Sequence, residues 1–448
     1  VSGRGVAADG PMFPMRSVVL GAFVPSFLAE IGVGAALPII VTYATDHGAS
    51  LGLASFLAAL VPVGQILADF PAGVVVARLG DRRAMMAASI VAIAAFAAAL
   101  VGGSLLVLGI AALVLGASQS VFAIARHAYL TVATPPQRRA RVLSTLAGVH
   151  RTGRFVGPFI GAAVLLFASN RWAFAVGVVT SLLALVALIA VGDTDADLPE
   201  RAGRRAGRLA GLRARRRGAD VDGSDRPSPP RGPSFAQVLK VNREVLTRLG
   251  SVALLVALVR GARQTVLPIW GEHIGLDGAT ISVIFGVAAG MDMLLFYPSG
   301  HAMDRLGRMW VGLPGMAVMG VALALIPFTA GAAGLGAVGL LLGFGNGITS
   351  GILMTLGSDA APAQGQAQFL AAWRLQGDLG QAASPLLLSA GPVIGSLAAV
   401  VWVTAGAAAL AMAAMIRWLP RYSVHANRTT RRRAGLTPDG SRPLDLGE

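Results

Sequence analysis

Long apolar runs, broken by short clusters of polar, glycine or proline residues, recur along most of the chain. A run of about 20 mostly apolar residues is the length of an α-helix that crosses the hydrocarbon core of a bilayer. The breaks place such segments at 17–45, 51–77, 84–103, 105–131, 141–168, 172–192, 247–271, 279–302, 309–328, 333–357, 366–390 and 395–419. The pattern therefore predicts an all-α membrane protein with twelve transmembrane helices. The first run is too long for a signal-peptide core and lacks a small-residue cleavage site, so it is expected to stay as a helix.

The polar stretches divide the chain further. Residues 1–14 read as a disordered tail, 15–192 as a six-helix bundle, 193–245 as a linker, 246–419 as a second six-helix bundle, and 420–448 as a basic tail. Arg78, Arg82 and Arg83 follow segment two, Arg138, Arg139 and Arg141 separate segments four and five, and Arg305 and Arg308 follow segment eight. These ends share one side with the Arg-rich linker and tail, while the other side carries Asp46, His47, Glu272, His273 and Asp277 and little arginine. By the positive-inside rule both termini are expected in the cytoplasm and the chain in the plasma (inner) membrane.

Composition agrees: 55% of the 448 residues are hydrophobic and 13% charged, with a mean hydropathy of +0.68. The net charge of +15 does not point to nucleic acid, because the arginines crowd into loops with no aromatic platform or binding fold beside them. Those between Arg201 and Arg217 can instead lie on anionic lipid headgroups, or simply form a solvated positive-inside loop. There is no cysteine, and no HExxH or GxSxG pattern in the segments, so an enzyme is not expected and neither a catalytic residue, a cofactor nor a metal is implied.

The chain also repeats itself. A shift of 227 residues carries Gly34 onto Gly261, Pro71 onto Pro298, Gly73 onto Gly300, Arg78 onto Arg305, Gly80 onto Gly307, Gly116 onto Gly343, Pro135 onto Pro362, Gly153 onto Gly380 and Pro158 onto Pro385. Three proline matches at one offset mark two halves descended from one unit. Two parallel repeats joined by a linker resemble the major facilitator superfamily. Gly300, Asp304, Arg305, Gly307 and Arg308 match that superfamily's G-x-x-x-D-R-x-G-R signature without a mismatch. In the first half Gly73, Arg78 and Gly80 match, but Ala77 replaces the aspartate and Asp81 the final basic residue. The resemblance implies two pseudo-symmetric bundles around a central cavity, with these residues as a cytoplasmic gate between the halves.

Segment five adds a second resemblance. Gly153, Gly157, Pro158 and Gly161 are similar to the antiporter signature of the twelve-helix drug–proton efflux branch, although Ser144 and Ala162 replace its outer glycines. That implies a hinge where proline leaves a carbonyl free; a plain seam of small residues for helix packing is the alternative.

Ionisable groups at bilayer depth tend to face a watery cavity or each other. Glu30, Asp69, Arg126, His127, His150, Arg151, Arg154, Arg260, Arg263, Asp292, Arg374 and Asp378 lie in segments one, two, four, five, seven, eight and eleven, while three, six, nine and twelve carry none inside. Segment ten offers Asn346, Thr349, Ser350 and Thr355. Arg151, Arg154, Arg260, Arg263, Gln264, Arg374 and Asn346 are the candidate substrate-binding residues, and Glu30, Asp292 and Asp378 the candidate proton-coupling carboxylates. Since Arg151 and Asp378 are repeat-equivalent, they are candidates for a central pair, against an i, i+4 pair of Arg374 with Asp378. Asp69, ahead of Phe70 and Pro71, reads either as another interior carboxylate or as a support for the bend there.

The leading expectation is a monomeric secondary transporter exporting small amphipathic compounds by proton antiport. The alternative is an importer or exchanger of an organic anion, because the six interior arginines outnumber the four interior acids. A scaffold or sensor working through the linker is the third reading.

Overall fold

The computed structural model describes residues 18–134, 138–191, 235–362, 364–394 and 396–435. The expected tail 1–14 and the Arg run of the linker lie outside the described residues. Regular structure among the described residues is helical, as hydrocarbon demands, since a helix satisfies its backbone polar groups internally.

A π-helical turn, Val19–Phe23, leads into α1 (Val24–Ala36) and α2 (Ile39–Asp46). Then come α3 (Leu51–Leu79), α4 (Asp81–Val101), α5 (Leu105–Ala133), α6 (Arg139–Leu165) and α7 (Trp172–Ala190). The second half holds α8 (Phe235–Val241), α9 (Arg243–His273), α10 (Gly278–Leu306), α11 (Arg308–Leu325), α12 (Ala332–Ile348), α13 (Ile352–Ala360), α14 (Gln366–Ile394), α15 (Leu397–Tyr422) and α16 (Arg428–Arg433). Thus the end of the expected linker is helical at α8, and the basic tail forms α16.

Two predicted segments are broken. Pro38, which has no N–H to continue the ladder, separates α1 from α2, and Gly351, at φ +82°, separates α12 from α13. The count of twelve spans also needs correction: among the described residues ten helical stretches are long and apolar enough to cross a membrane. α6 and α14, of 27 and 29 residues, have the length but not the apolarity. His150, Arg151 and Arg154 interrupt one, and Arg374, Gln376 and Asp378 the other.

The two halves are built alike. α3 packs on α5 as α10 does on α12, α1 on α6 as α9 does on α14, and α4 on α7 as α11 does on α15. Glycine contacts repeat at the sequence offset: Gly116 approaches the Val61 carbonyl and Gly343 that of Ala288, while Gly153 approaches the Phe27 carbonyl and Gly380 that of Leu254. A Cβ at any of these glycines would collide with the facing backbone, which is why small residues sit there. The halves meet along two seams, α6 with α10 and α3 with α14. Phe70 and Phe167, 88% and 92% exposed, belong to an apolar jacket of a size expected of a lipid-facing surface. The chain is a multi-pass integral membrane protein.

Candidate functional site

Cavities lie between the halves, and two of them hold most of the interior charges. The larger, about 540 Å³, is bounded by α6, α9, α10, α12, α13 and α14. It reaches from Arg260, Asp292 and Asn346 toward Ala147, Ala253, Ser358 and Leu370, which lie toward the Arg-rich ends of their helices. At the opposite end the Thr45 hydroxyl donates to Glu272 Oε1 at 2.7 Å and Asn170 Nδ2 to Asp46 Oδ2 at 2.6 Å. The Thr45–Glu272 bond draws the halves together there, while the Asn170–Asp46 bond ties the first half to itself.

Asp292 anchors the larger cavity. It is 9% exposed on α10, and an isolated carboxylate so placed would be costly. Arg151 Nη1, reaching across the seam from α6, donates to its Oδ1 at 3.0 Å, and Arg263 Nη2 lies 3.8 Å from its Oδ2. Arg260 is within electrostatic reach of the same carboxylate and donates from Nε to Asn346 Oδ1 at 2.8 Å. The Arg151 guanidinium also donates to Ser350 Oγ and lies over the Phe296 ring at 4.2 Å, a favourable cation–π placement. Arg263 keeps Nε and Nη1 buried with no hydrogen-bond partner. Three guanidinium groups therefore surround one carboxylate, leaving two positive charges uncompensated locally.

The smaller cavity, about 150 Å³, lies mainly in the first half. Here Glu30, 7% exposed, accepts from Arg154 Nε at 2.9 Å, and His150 Nδ1 lies 2.8 Å from its other oxygen. Arg126, 6% exposed, lines the same space with a buried, unpartnered Nε. His150, Arg154, Arg374, Asp378 and Gln381 line both cavities and form the wall between them. Gln264 lines the larger cavity beside Arg260.

Several expectations change. Arg151 does not face Asp378: it bonds Asp292, while Arg374 Nε lies 3.4 Å from Asp378 Oδ2 in the local i, i+4 pair. Asp69 does more than support a bend, since it accepts from Ser120 Oγ and lines the smaller cavity together with Asp378. His127 bonds the Ala123 carbonyl at 2.8 Å within its own helix.

The expected gate signature makes its described contacts inside each half. Arg308 bonds Asp304 at 3.2 Å and Asp359 at 3.3 Å, Arg431 of α16 bonds the carbonyls of Asp304 and Arg305, and Gly80 and Gly307 make equivalent positive-φ turns. Arg82 grips the Leu188 and Ile189 carbonyls at the end of α7, where the Arg residue singled out from the sequence, Arg78, is exposed. Gly73 and Gly300 face open space. Gly153, Gly157 and Gly161 all lie against α1, and Pro158 sits within an unbroken α6. These are the contacts of a helix-packing seam.

His150 and Ser350 were read from the sequence only as interior polar residues with no assigned role, and Phe296 and the Thr45–Glu272 contact were missed as functional candidates. Only the last had a clear sequence signal, because Thr45 and Glu272 are themselves related by the 227-residue offset.

Comparison with known proteins places this architecture. Residues 22–385 match the family model of the Major Facilitator Superfamily. A 140-residue stretch is 29% identical to the uncharacterized MFS-type transporter YhjO of Bacillus subtilis (strain 168), covering 31% of this chain and 34% of that protein. The chain thus matches about a third of the length of that curated relative. Among solved structures, a peptide transporter POT in complex with sulfate superposes with a TM-score of 0.70 at 15% identity, over 95% of this chain and 97% of that one. A D-xylose–proton symporter does so with a TM-score of 0.67 at 12% identity, over 92% and 99%. These likenesses are of fold. The expectation of an efflux antiporter is overturned by them, because the similar folds are described as peptide transporters and a sugar–proton symporter and not as drug exporters. The fold is a transporter's and not a catalytic one, and the chain belongs to the major facilitator superfamily.

Proposed function

We propose that this protein takes up or exchanges a small organic anion by alternating access. The observation that carries the reading is the larger cavity, lined by Arg151 and Arg260 about the carboxylate of Asp292, with Arg263 on the far side of that carboxylate. A site with two surplus guanidinium charges at bilayer depth favours a negatively charged guest, and Arg presents carboxylates and phosphates with a matching fork of donors. A volume of about 540 Å³ lies within the usual range for a small-molecule pocket. Similar folds that carry peptides and xylose support solute uptake in general.

In this reading α6 and α14 also cross the membrane, their polar faces turned to the cavity, giving twelve spans in the two bundles 15–192 and 246–419. Both termini and the Arg-rich ends are cytoplasmic, so the larger cavity opens inward. The Gly73–Gly80 and Gly300–Arg308 elements brace the cytoplasmic rim of each half as it moves. The protein works as a monomer in the plasma membrane, with the linker on anionic lipid headgroups.

The test is uptake of radiolabelled benzoate, succinate and glycerol 3-phosphate, with glucose as the neutral control, into proteoliposomes of purified protein. Saturable uptake of at least one anion, lost in Arg260→Ala, is expected. Saturable uptake of glucose with none of the anions would overturn the reading.

A further inference from the structure

Asp69 and Asp378 take no part in holding the proposed anion, yet they meet at the boundary between the halves. Asp69 is on α3 and Asp378 on α14, the helices of one inter-half seam. Both side chains line the smaller cavity from these packed helices, near enough for their charges to interact. Two ionised carboxylates so placed repel and neither has a proton to donate, whereas one proton between them lets one donate to the other.

The surroundings do not supply enough positive charge to remove the conflict. Ser120 Oγ on α5 donates to Asp69 Oδ1 and is neutral. Arg374 is 3.4 Å from Asp378, but its side chain is 60% exposed, so water screens the pair. The other charged or titratable groups around the two cavities have partners of their own or stand farther off. On α6, Arg154 and His150 are held by Glu30 of α1. Arg126 and His127 lie on α5, where Arg126 acts on Glu30 and His127 bonds its own helix. Arg260 on α9 is engaged with Asn346.

We propose that Asp69 and Asp378 bind one proton between them, and that this proton is the one co-transported with the anion. The second clause rests on the uptake reading above. Both carboxyls line the smaller cavity, and Asp378 also lines the larger one. A proton on the pair and an anion beside Arg260 share a wall and have opposite charge, so each favours the binding of the other, as linkage requires. On release one O–H bond breaks, the proton passes to cavity water, and two carboxylates are left facing each other across the α3–α14 seam. Their repulsion loosens that seam, whereas the shared proton holds it closed.

Infrared difference spectroscopy during a pH titration of the purified, substrate-free protein reads the proton directly. The wild type is expected to show the carbonyl stretch of a protonated carboxylic acid, moved by isotope-labelled aspartate and lost on titration to alkaline pH. Asp69→Asn and Asp378→Asn should each abolish it, because an amide then donates to the remaining carboxylate; Glu30→Gln should leave it. Absence of an aspartate band in the wild type, which needs no variant to fold, overturns the proposal. So does a band that persists in either Asp→Asn variant. Calorimetric titration with benzoate separates this from the anion reading: benzoate binding without the band removes only the proton pair, and the band without binding of any anion removes only the anion reading.

Discussion

Replacing Asp292 by asparagine discriminates two roles for that carboxylate. At an effective dielectric of about 20, unit charges at the 3.0 Å of Arg151 and the 3.8 Å of Arg263 attract Asp292 by about 5.5 and about 4.4 kcal/mol. Asparagine removes both terms and leaves three guanidinium groups to repel one another. Breaking a buried pair in this way costs about 3–5 kcal/mol, so Asp292→Asn should melt earlier than the wild type in detergent. If Asp292 competes with the substrate for the arginines, the same variant should bind an anion more tightly, since benzoate then restores a missing pair. One charge-assisted hydrogen bond regained, about 1.5–3 kcal/mol, is roughly ten- to hundred-fold in Kd. Arg260→Ala should move affinity the other way by a similar factor, without the loss of stability. Calorimetric titration with benzoate and succinate, beside thermal melting, measures both quantities. Weaker anion binding in Asp292→Asn, or unchanged binding in Arg260→Ala, would refute the competition argument.

Other consequences can be checked separately. Gly157→Leu forces a side chain into the α1 backbone at Ile31 and should lower stability by about 1–3 kcal/mol, read as an earlier melt; Gly73→Ala, facing open space, should not. Thr45→Val removes the donor to Glu272 and should shift the population toward opening at the Arg-poor end. Because the chain has no cysteine, maleimide labelling of a single cysteine placed at Val41 should rise in that variant, and an unchanged rate would refute the latch. At the same end, Asp277 accepts from the Thr280 amide and hydroxyl as the N-cap of α10, which holds its carboxyl below the ordinary range. Its contribution is present above that ordinary range and lost as pH falls through the lowered value. Asp277→Ala should cost about 0.5–2 kcal/mol at neutral pH and less in strong acid, measured by melting at several pH values.

Most of the architecture was legible because hydrocarbon leaves few choices. Apolar run lengths locate the spans, and the constant offset of Gly116 with Gly343 and Gly153 with Gly380 reappears as equivalent helix contacts. The breaks were harder to see, since Pro38 and Gly351 sit inside otherwise apolar runs. Transport direction was less legible still. Gly153, Gly157 and Gly161 resemble an efflux signature, but small residues are also what any close helix contact requires, and here they lie against α1. One sequence pattern served two physical purposes.

The site shows how symmetry misleads when its axis is ignored. Arg151 and Asp378 are repeat-equivalent, yet a pseudo-two-fold brings a residue onto its own equivalent only on the axis itself. Thr45 and Glu272 lie there and touch. Off the axis, symmetry pairs seams instead of residues: α6 meets α10, and its image α14 meets α3. Arg151 on α6 must therefore find its partner on α10, where Asp292 is the interior acid, and Asp378 on α14 must find its partner on α3, where Asp69 is. The two seams are alike in backbone and opposite in chemistry. One joins an arginine to a carboxylate, while the other brings two carboxylates together. On the anion and shared-proton proposals made above, that asymmetry within a duplicated frame gives separate places for a negatively charged solute and for a proton.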